Sequence, residues 1–277
     1  MEQNAKRIRA QGLGLVAISY DSTSVLKRFS DRAHISFPLL SDSDSAIIRR
    51  YGILNETVAK NNSAYGIPNP GIYVVDHRGV VTGKYFQDDY RIRDTSASIL
   101  LRQFGLKPDP QPAADNPAIG AKHAMLRTGL SGGDLRPGQR VTLSLDVTLP
   151  KRVHVYAPGV QGYKPVVLKL NESKAYQPDA PVFPKSKSLR LAVIQETVPV
   201  YEGQFRLLQT ITLGNAQELE PLLDKDRQLV ITGEFLYQAC DDKECFIPET
   251  VPLRWVVKVT PFDRTRVPVE LQRHASQ

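Results

Sequence analysis

Two cysteines, Cys240 and Cys245, are the only thiols in 277 residues. They lie in Tyr237-Gln238-Ala239-Cys240-Asp241-Asp242-Lys243-Glu244-Cys245-Phe246-Ile247-Pro248, with four polar residues between them and strand-like sequence on either side. If the flanks pair as a hairpin, the cysteines oppose each other across the ladder. Directly opposed strand residues have Cα atoms about 4.5–5.5 Å apart, within reach of a disulfide. A bridge closing so short a loop removes little chain entropy, so the spacing favours redox exchange over reinforcement. Two other readings stay open, inert thiols on a strand and half of a zinc site. A structural zinc site takes four ligands, yet there is no second cysteine pair. His34, His77, His123, His154 and His274 are scattered, with no two at ligand spacing.

Thiol–disulfide exchange proceeds by thiolate attack on a disulfide sulfur through a mixed disulfide. Nearby cations favour the thiolate and nearby anions disfavour it. The loop sets Asp241, Asp242 and Glu244 against Lys243 alone, so the thiols should be weakly ionised. Such a pair suits a relay that reacts with a docked partner. The aromatics Tyr237 and Phe246 flank the pair, either shielding it or packing as ordinary strand residues. No cofactor or metal is called for. Gly129-Leu130-Ser131-Gly132-Gly133 matches a hydrolase nucleophile pattern. The turn Asp134-Leu135-Arg136-Pro137-Gly138 follows it where a helix is required, so it reads as a loop. Asp88 and Asp89 read as a solvated turn.

The elements that position the pair belong to the second of two regions. Hydrophobic content of 41% and charge content of 23% suit well-formed cores in one large or two modest domains. Nothing is long and apolar enough to span a membrane, and no apolar segment of a signal peptide follows Met1-Glu2-Gln3-Asn4-Ala5-Lys6-Arg7. Net charge is +7. The basic residues are interleaved with acids throughout, which argues for a solvated basic surface and against a nucleic-acid partner.

Residues 1–106 alternate strands and helices: a buried strand at 14–19, and a helix from Ser22 to His34 capped by Asp21 or Ser22, with Val25, Leu26 and Phe29 on one face. A second helix runs to Tyr51 from a cap at Asp42 or Ser43, with Ile47 and Ile48 inward. A hairpin pairs residues 71–75 with 80–86, and a helix covers 95–104 with Ile99 and Leu100 inward. This mixture is α/β. Residues 107–120 hold four prolines and read as a linker. From 121 to 262, strands are expected at 141–149, 152–156, 166–170, 189–194, 205–213, 229–237 and 251–259, with a helical turn at 216–223. That pattern suggests an antiparallel sandwich. Residues 263–277 read as a polar tail.

Three stretches of the first region carry a resemblance: Leu15-Val16-Ala17-Ile18-Ser19-Tyr20-Asp21-Ser22, Phe37-Pro38-Leu39-Leu40-Ser41-Asp42 and Gly66-Ile67-Pro68-Asn69-Pro70-Gly71-Ile72-Tyr73-Val74-Val75-Asp76. They resemble the thioredoxin-like AhpC/TSA redoxins, an antioxidant family. The resemblance implies a cis bond at Asn69–Pro70 beside the active site. It also implies a catalytic cysteine ahead of the first helix, but here the chain begins inside that helix and the region has no cysteine. The chain as written is therefore not expected to act as a cysteine peroxidase. It reads as an N-terminally truncated redoxin domain lacking its first strands, whose precursor carried a signal or anchor.

The second region carries another resemblance, in Val153-His154-Val155-Tyr156-Ala157-Pro158-Gly159, Val200-Tyr201-Glu202-Gly203, Leu236-Tyr237-Gln238-Ala239-Cys240, Cys245-Phe246-Ile247-Pro248 and Val251-Pro252-Leu253. These resemble the N-terminal periplasmic domain of the DsbD thiol:disulfide interchange family, an immunoglobulin-like sandwich carrying a redox cysteine pair. The spacing between the cysteines is one residue shorter than in well-known members. The resemblance implies an extracytoplasmic thiol–disulfide relay through Cys240 and Cys245, a thioredoxin-like redox partner, and Cys245 as the residue that forms mixed disulfides. Two alternatives are a non-catalytic binding sandwich pinned by a structural disulfide and an inactive fragment of a peroxiredoxin-like enzyme.

Overall fold

The computed structural model describes all residues except 58, 62–64, 66, 107–116, 192–194, 263, 264, 266, 267 and 269–277. Most of the expected linker and tail, the end of the strand expected at 189–194, and Gly66 therefore lie outside the described residues. The chain divides into two compact units, Met1–Ser96 together with the described residues after Phe262, and Ala97–Phe262.

In the first unit the elements run α1 (Glu2–Ala10), β1 (Ala17–Ser19), α2 (Thr23–Ala33), β2 (Leu39–Ser41), α3 (Ala46–Arg50), β3 (Gly71–Val75), β4 (Val81–Phe86) and β5 (Arg93–Asp94). Ser22 caps α2, its side chain accepting from the Val25 amide, and His34 closes the helix in the left-handed region. The Asp42 carboxylate accepts from the Ile47 and Ile48 amides at the start of α3. β1 and β2 pair in parallel, Ala17 opposite Leu39. β3 and β4 form the expected hairpin, Gly71 opposite Phe86. Among the described residues no ladder joins these two pairs of strands.

Three expectations are corrected here. Val25 and Leu26 are buried, but Phe29 is 42% exposed. A three-residue ladder is about 10 Å long and α2 about 16 Å, so the ladder cannot cover the whole helix. Ile48 is buried while Ile47 is 42% exposed, because consecutive helical residues point about 100° apart and this short helix has one covered stripe. No described peptide bond is cis, so Asn69–Pro70 is trans, the form that X-Pro bonds favour where nothing enforces the other.

The second unit opens with α4 (Ser96–Phe104), whose Ile99, Leu100 and Leu101 are buried. Strands follow: β6 (Ile119–Ala121), β7 (Ala124–Leu130), β8 (Asp134–Leu135), β9 (Gln139–Thr148), β10 (His154–Tyr156), β11 (Val167–Leu170), β12 (Tyr176–Pro178), β13 (Lys187–Leu191), β14 (Glu196–Glu202) and β15 (Gln204–Leu213). The expected helical turn is α5 (Ala216–Leu219), held by a capping box between Asn215 and Glu218. β16 (Gln228–Tyr237), β17 (Ala239–Cys240) and β18 (Glu249–Val259) complete the unit.

Strand order is β12-β15-β9-β7-β6 in one sheet, β11-β16-β18-β8 in a second and β13-β14-β10-β17 in a third. The β8–β18 ladder is parallel and the other ladders within these orders are antiparallel. Buried residues alternate with exposed ones along β16 and β18, the period-2 signature of a half-buried strand. Leu143, Leu145 and Leu207 of the first sheet share one core with Phe235, Leu253 and Trp255 of the second. The Trp255 indole N–H donates to the Ser144 carbonyl, which satisfies a polar group that would otherwise be costly to bury.

Candidate active site

β16 and β18 pair continuously from Gln228 opposite Lys258 to Tyr237 opposite Glu249. Beyond that last pair the chain leaves the second sheet. Ala239 and Cys240 join the third sheet instead, pairing with Val155 and His154 of β10. Cys240 and Cys245 then face each other as an antiparallel bridge and form a disulfide with Cα atoms 4.0 Å apart. The hairpin expected from the spacing is present. Its loop is braced by Asp241, whose carboxylate accepts from the Lys243 and Glu244 amides. Those amide bonds, with that to Glu244 first, hold the Asp241 carboxyl below its ordinary range. The Phe246 amide donates to the Ala239 carbonyl, closing the loop at its base.

The two sulfurs differ in access. Cys240 is 1% exposed and packs with Tyr156, Val198 and Val200, whereas Cys245 is exposed. The Tyr156 hydroxyl stands 3.8 Å from Cys245 Sγ. A disulfide sulfur carries no proton, so the hydroxyl is the donor. Burial first, and the Glu196 carboxylate second, push the Tyr156 phenol up, which keeps it protonated. Tyr163 stacks on Tyr156 at 4.3 Å between centroids and donates its own hydroxyl to Glu196.

The flanking aromatics are placed differently from each other. Tyr237 is buried in the main core, stacked on Phe235, and its hydroxyl donates to Glu249. Burial, then that bond, push its phenol well above the ordinary range. Phe246 is half-buried, stacked on His123 with centroids 3.9 Å apart, and packs against the main core. Pro70 lies in the first unit, next to β3.

Two residues beside the pair were not singled out from sequence, Tyr156 and His154. His154 is buried and sets its ring edge-on to Tyr156. The signal was available in the alternation of His154-Val155-Tyr156, which puts both aromatics on one face of a strand. Other sequence features resolve plainly. Ser131 is buried and its hydroxyl accepts from the Thr142 amide, leaving no nucleophile elbow. Asp89 pairs with Arg91, and hydrogen bonds from that side chain hold its carboxyl at about 2.

Comparison with known proteins bears out both resemblances. Residues 1–84 match the AhpC/TSA family, and residues 132–254 match the N-terminal region of the thiol:disulfide interchange protein DsbD. Each match covers less than half of the chain, the first in the α/β unit and the second in the β-rich unit. Among solved structures it is similar to the N-terminal periplasmic domain of ScsB from Proteus mirabilis. Identity is 14%, coverage is 50% of this chain and 49% of that one, and the TM-score is 0.36. It is also similar to the N-terminal domain of Neisseria meningitidis DsbD in the reduced form, at 11% identity, with 53% and 88% coverage and a TM-score of 0.26. The chain spans about half the length of the ScsB domain. No curated protein matches it.

Proposed function

We propose that the protein is a thiol–disulfide relay whose working pair is Cys240 and Cys245. The observation that carries this reading is the asymmetry of the disulfide, with one cysteine buried and the other exposed beside a hydroxyl donor. Exchange requires in-line access to a single sulfur, and Cys245 is the accessible one. It takes the mixed disulfide, and Cys240 resolves it. Ile247, 83% exposed two residues beyond Cys245, gives a docked partner an apolar contact. The partner is a thioredoxin-like protein, and the compartment is extracytoplasmic, consistent with disulfide chemistry outside the reducing cytosol. Residues 121–262 form the functional domain, an immunoglobulin-like sandwich in an antioxidant, redoxin-type protein, and residues 1–106 its thioredoxin-like neighbour.

The test is the reduction potential of the pair, from equilibration with glutathione and thiol counting by mass. A value between roughly −180 and −270 mV, the range of exchange-competent pairs, supports the relay. A value below about −300 mV marks a structural staple and overturns it.

A further inference from the structure

Three neighbouring strands set three reactive side chains in one row. His154 on β10 is the register partner of Glu202 on β14 and, on its other side, of Cys240 on β17. Opposed residues of an antiparallel ladder project from the same face. A carboxylate, an imidazole and a sulfur therefore lie side by side across the sheet. His154 is 4% exposed, and its Nε2 is buried without a hydrogen-bond partner. An unsatisfied buried nitrogen is costly and rare in a folded protein. In the oxidised protein the neighbouring sulfur has no proton to offer. In the reduced protein Cys240 carries one.

We propose that His154 is the proton acceptor for Cys240, taking the thiol proton when the pair is oxidised and returning it when the pair is reduced. The proposal rests on the relay reading above. In the oxidative direction the Cys245 thiolate attacks a partner disulfide, forming a mixed disulfide and releasing one partner thiolate. The Cys240 thiol then gives its proton to His154 Nε2. The resulting thiolate attacks Cys245 Sγ, the Cys240–Cys245 bond forms, and the second partner thiolate leaves. Two electrons pass from the pair to the partner, and the imidazolium loses its proton to solvent. Reduction is the reverse, with the imidazolium protonating the Cys240 thiolate as it leaves.

The surroundings suit a neutral base. Burial lowers the imidazole's proton affinity, and Glu202, Asp242 and Asp241 oppose that effect in decreasing order. Lys187 pairs with Glu202 and moderates its pull, and Tyr156 faces the ring from its own strand. Because burial prevails, His154 is uncharged near pH 7 and able to accept a proton.

The experiment uses the full reduced chain and 5,5′-dithiobis(2-nitrobenzoate), followed by stopped-flow absorbance. The first equivalent of released thiolate reports attack by Cys245, and the second reports resolution by Cys240. In the unmodified protein the second phase should slow as pH falls through the His154 titration, below about 6.5. In His154→Gln that phase should slow by about 100-fold and lose its inflection, rising instead towards the ordinary thiol value near 8.5. The first phase should be unaffected. An unchanged second phase, or equal slowing of both, overturns the proposal. If the unmodified protein releases only one equivalent, the relay reading itself fails. Should the variant not fold, NMR titration of His154 in the unmodified protein decides the matter. Coupled proton and electron transfer requires different titrations in the oxidised and reduced forms, and identical curves overturn the proposal.

Discussion

Tyr156 directs its hydroxyl at Cys245 Sγ across 3.8 Å, and both residues lie beside a strand junction where the chain passes from one sheet to another. When Cys245 leaves as a thiolate, the same hydroxyl becomes a donor to a charged acceptor. Hydrogen bonds to charged groups contribute about 1.5–3 kcal/mol. Tyr156→Phe should therefore slow iodoacetamide alkylation of reduced Cys245 at pH 7 by roughly tenfold, with the fold retained by circular dichroism. An alkylation rate equal to that of the parent protein would remove Tyr156 from the chemistry.

Unequal burial of the two sulfurs predicts unequal trapping. Cys240→Ala should accumulate a stable mixed disulfide with glutathione through the exposed Cys245. Cys245→Ala, left with a thiol that is 1% exposed, should form it at least about ten times more slowly, because reactivity follows access. Intact-mass time courses of the two variants measure this. Faster trapping at Cys240 would reverse the roles proposed here.

The pairing of β11 on β16 requires a glycine. A Cβ at Gly233 would lie 2.5 Å from the Lys169 carbonyl oxygen and 3.1 Å from the Leu170 Cα. Both are backbone atoms, so the strand must move. Gly233→Ala should destabilise the second unit by about 1–3 kcal/mol, the usual cost of forced overpacking. Urea denaturation followed by Trp255 fluorescence reports it, and a midpoint shift near zero would show that the ladder yields freely.

Asp42 gives the first unit a pH dependence. Burial of the Asp42 carboxyl opposes ionisation, but the amide bonds from Ile48 and Ile47, together with Asp44 and Ala46, outweigh it and hold the group below its ordinary value. A depressed folded value means stability that is full above the unfolded value, about 3.9, and is lost as pH falls through the folded one. Acid titration of helix content should show a step in that window that Asp42→Ala abolishes. Persistence of the step in the variant would assign it elsewhere.

What could be read from sequence divides along physical lines. β9, β15, β16 and β18 were legible because alternating apolar residues over ten or more positions encode one buried face. β14 was not, since Pro199 lowers the strand signal, yet Pro199 pairs opposite Ser188 inside the ladder. In the first unit, periodicity found α2 but placed Phe29 inward, because the length of the supporting ladder is a tertiary property. The cysteine pair and its hairpin were legible from spacing alone. That His154 and Tyr156 share a strand face was legible from their alternation, but their meeting with Cys240 and Cys245 was not, because they are distant in sequence and come together only through the β10–β17 register.

The ladder from Gln228 to Tyr237 ends before the cysteine loop begins, and this bears on how the two oxidation states compare. A bridge spanning a sequence separation of five stabilises the folded chain by about 2 kcal/mol through loop closure. By thermodynamic reciprocity the folded chain stabilises the bridge by the same amount, a change of about 45 mV in its potential. That loop-closure contribution is small beside the span of roughly −120 to −270 mV over which exchange-competent pairs differ. On the relay reading proposed above, the change between the oxidised and reduced pair falls outside the β16–β18 ladder.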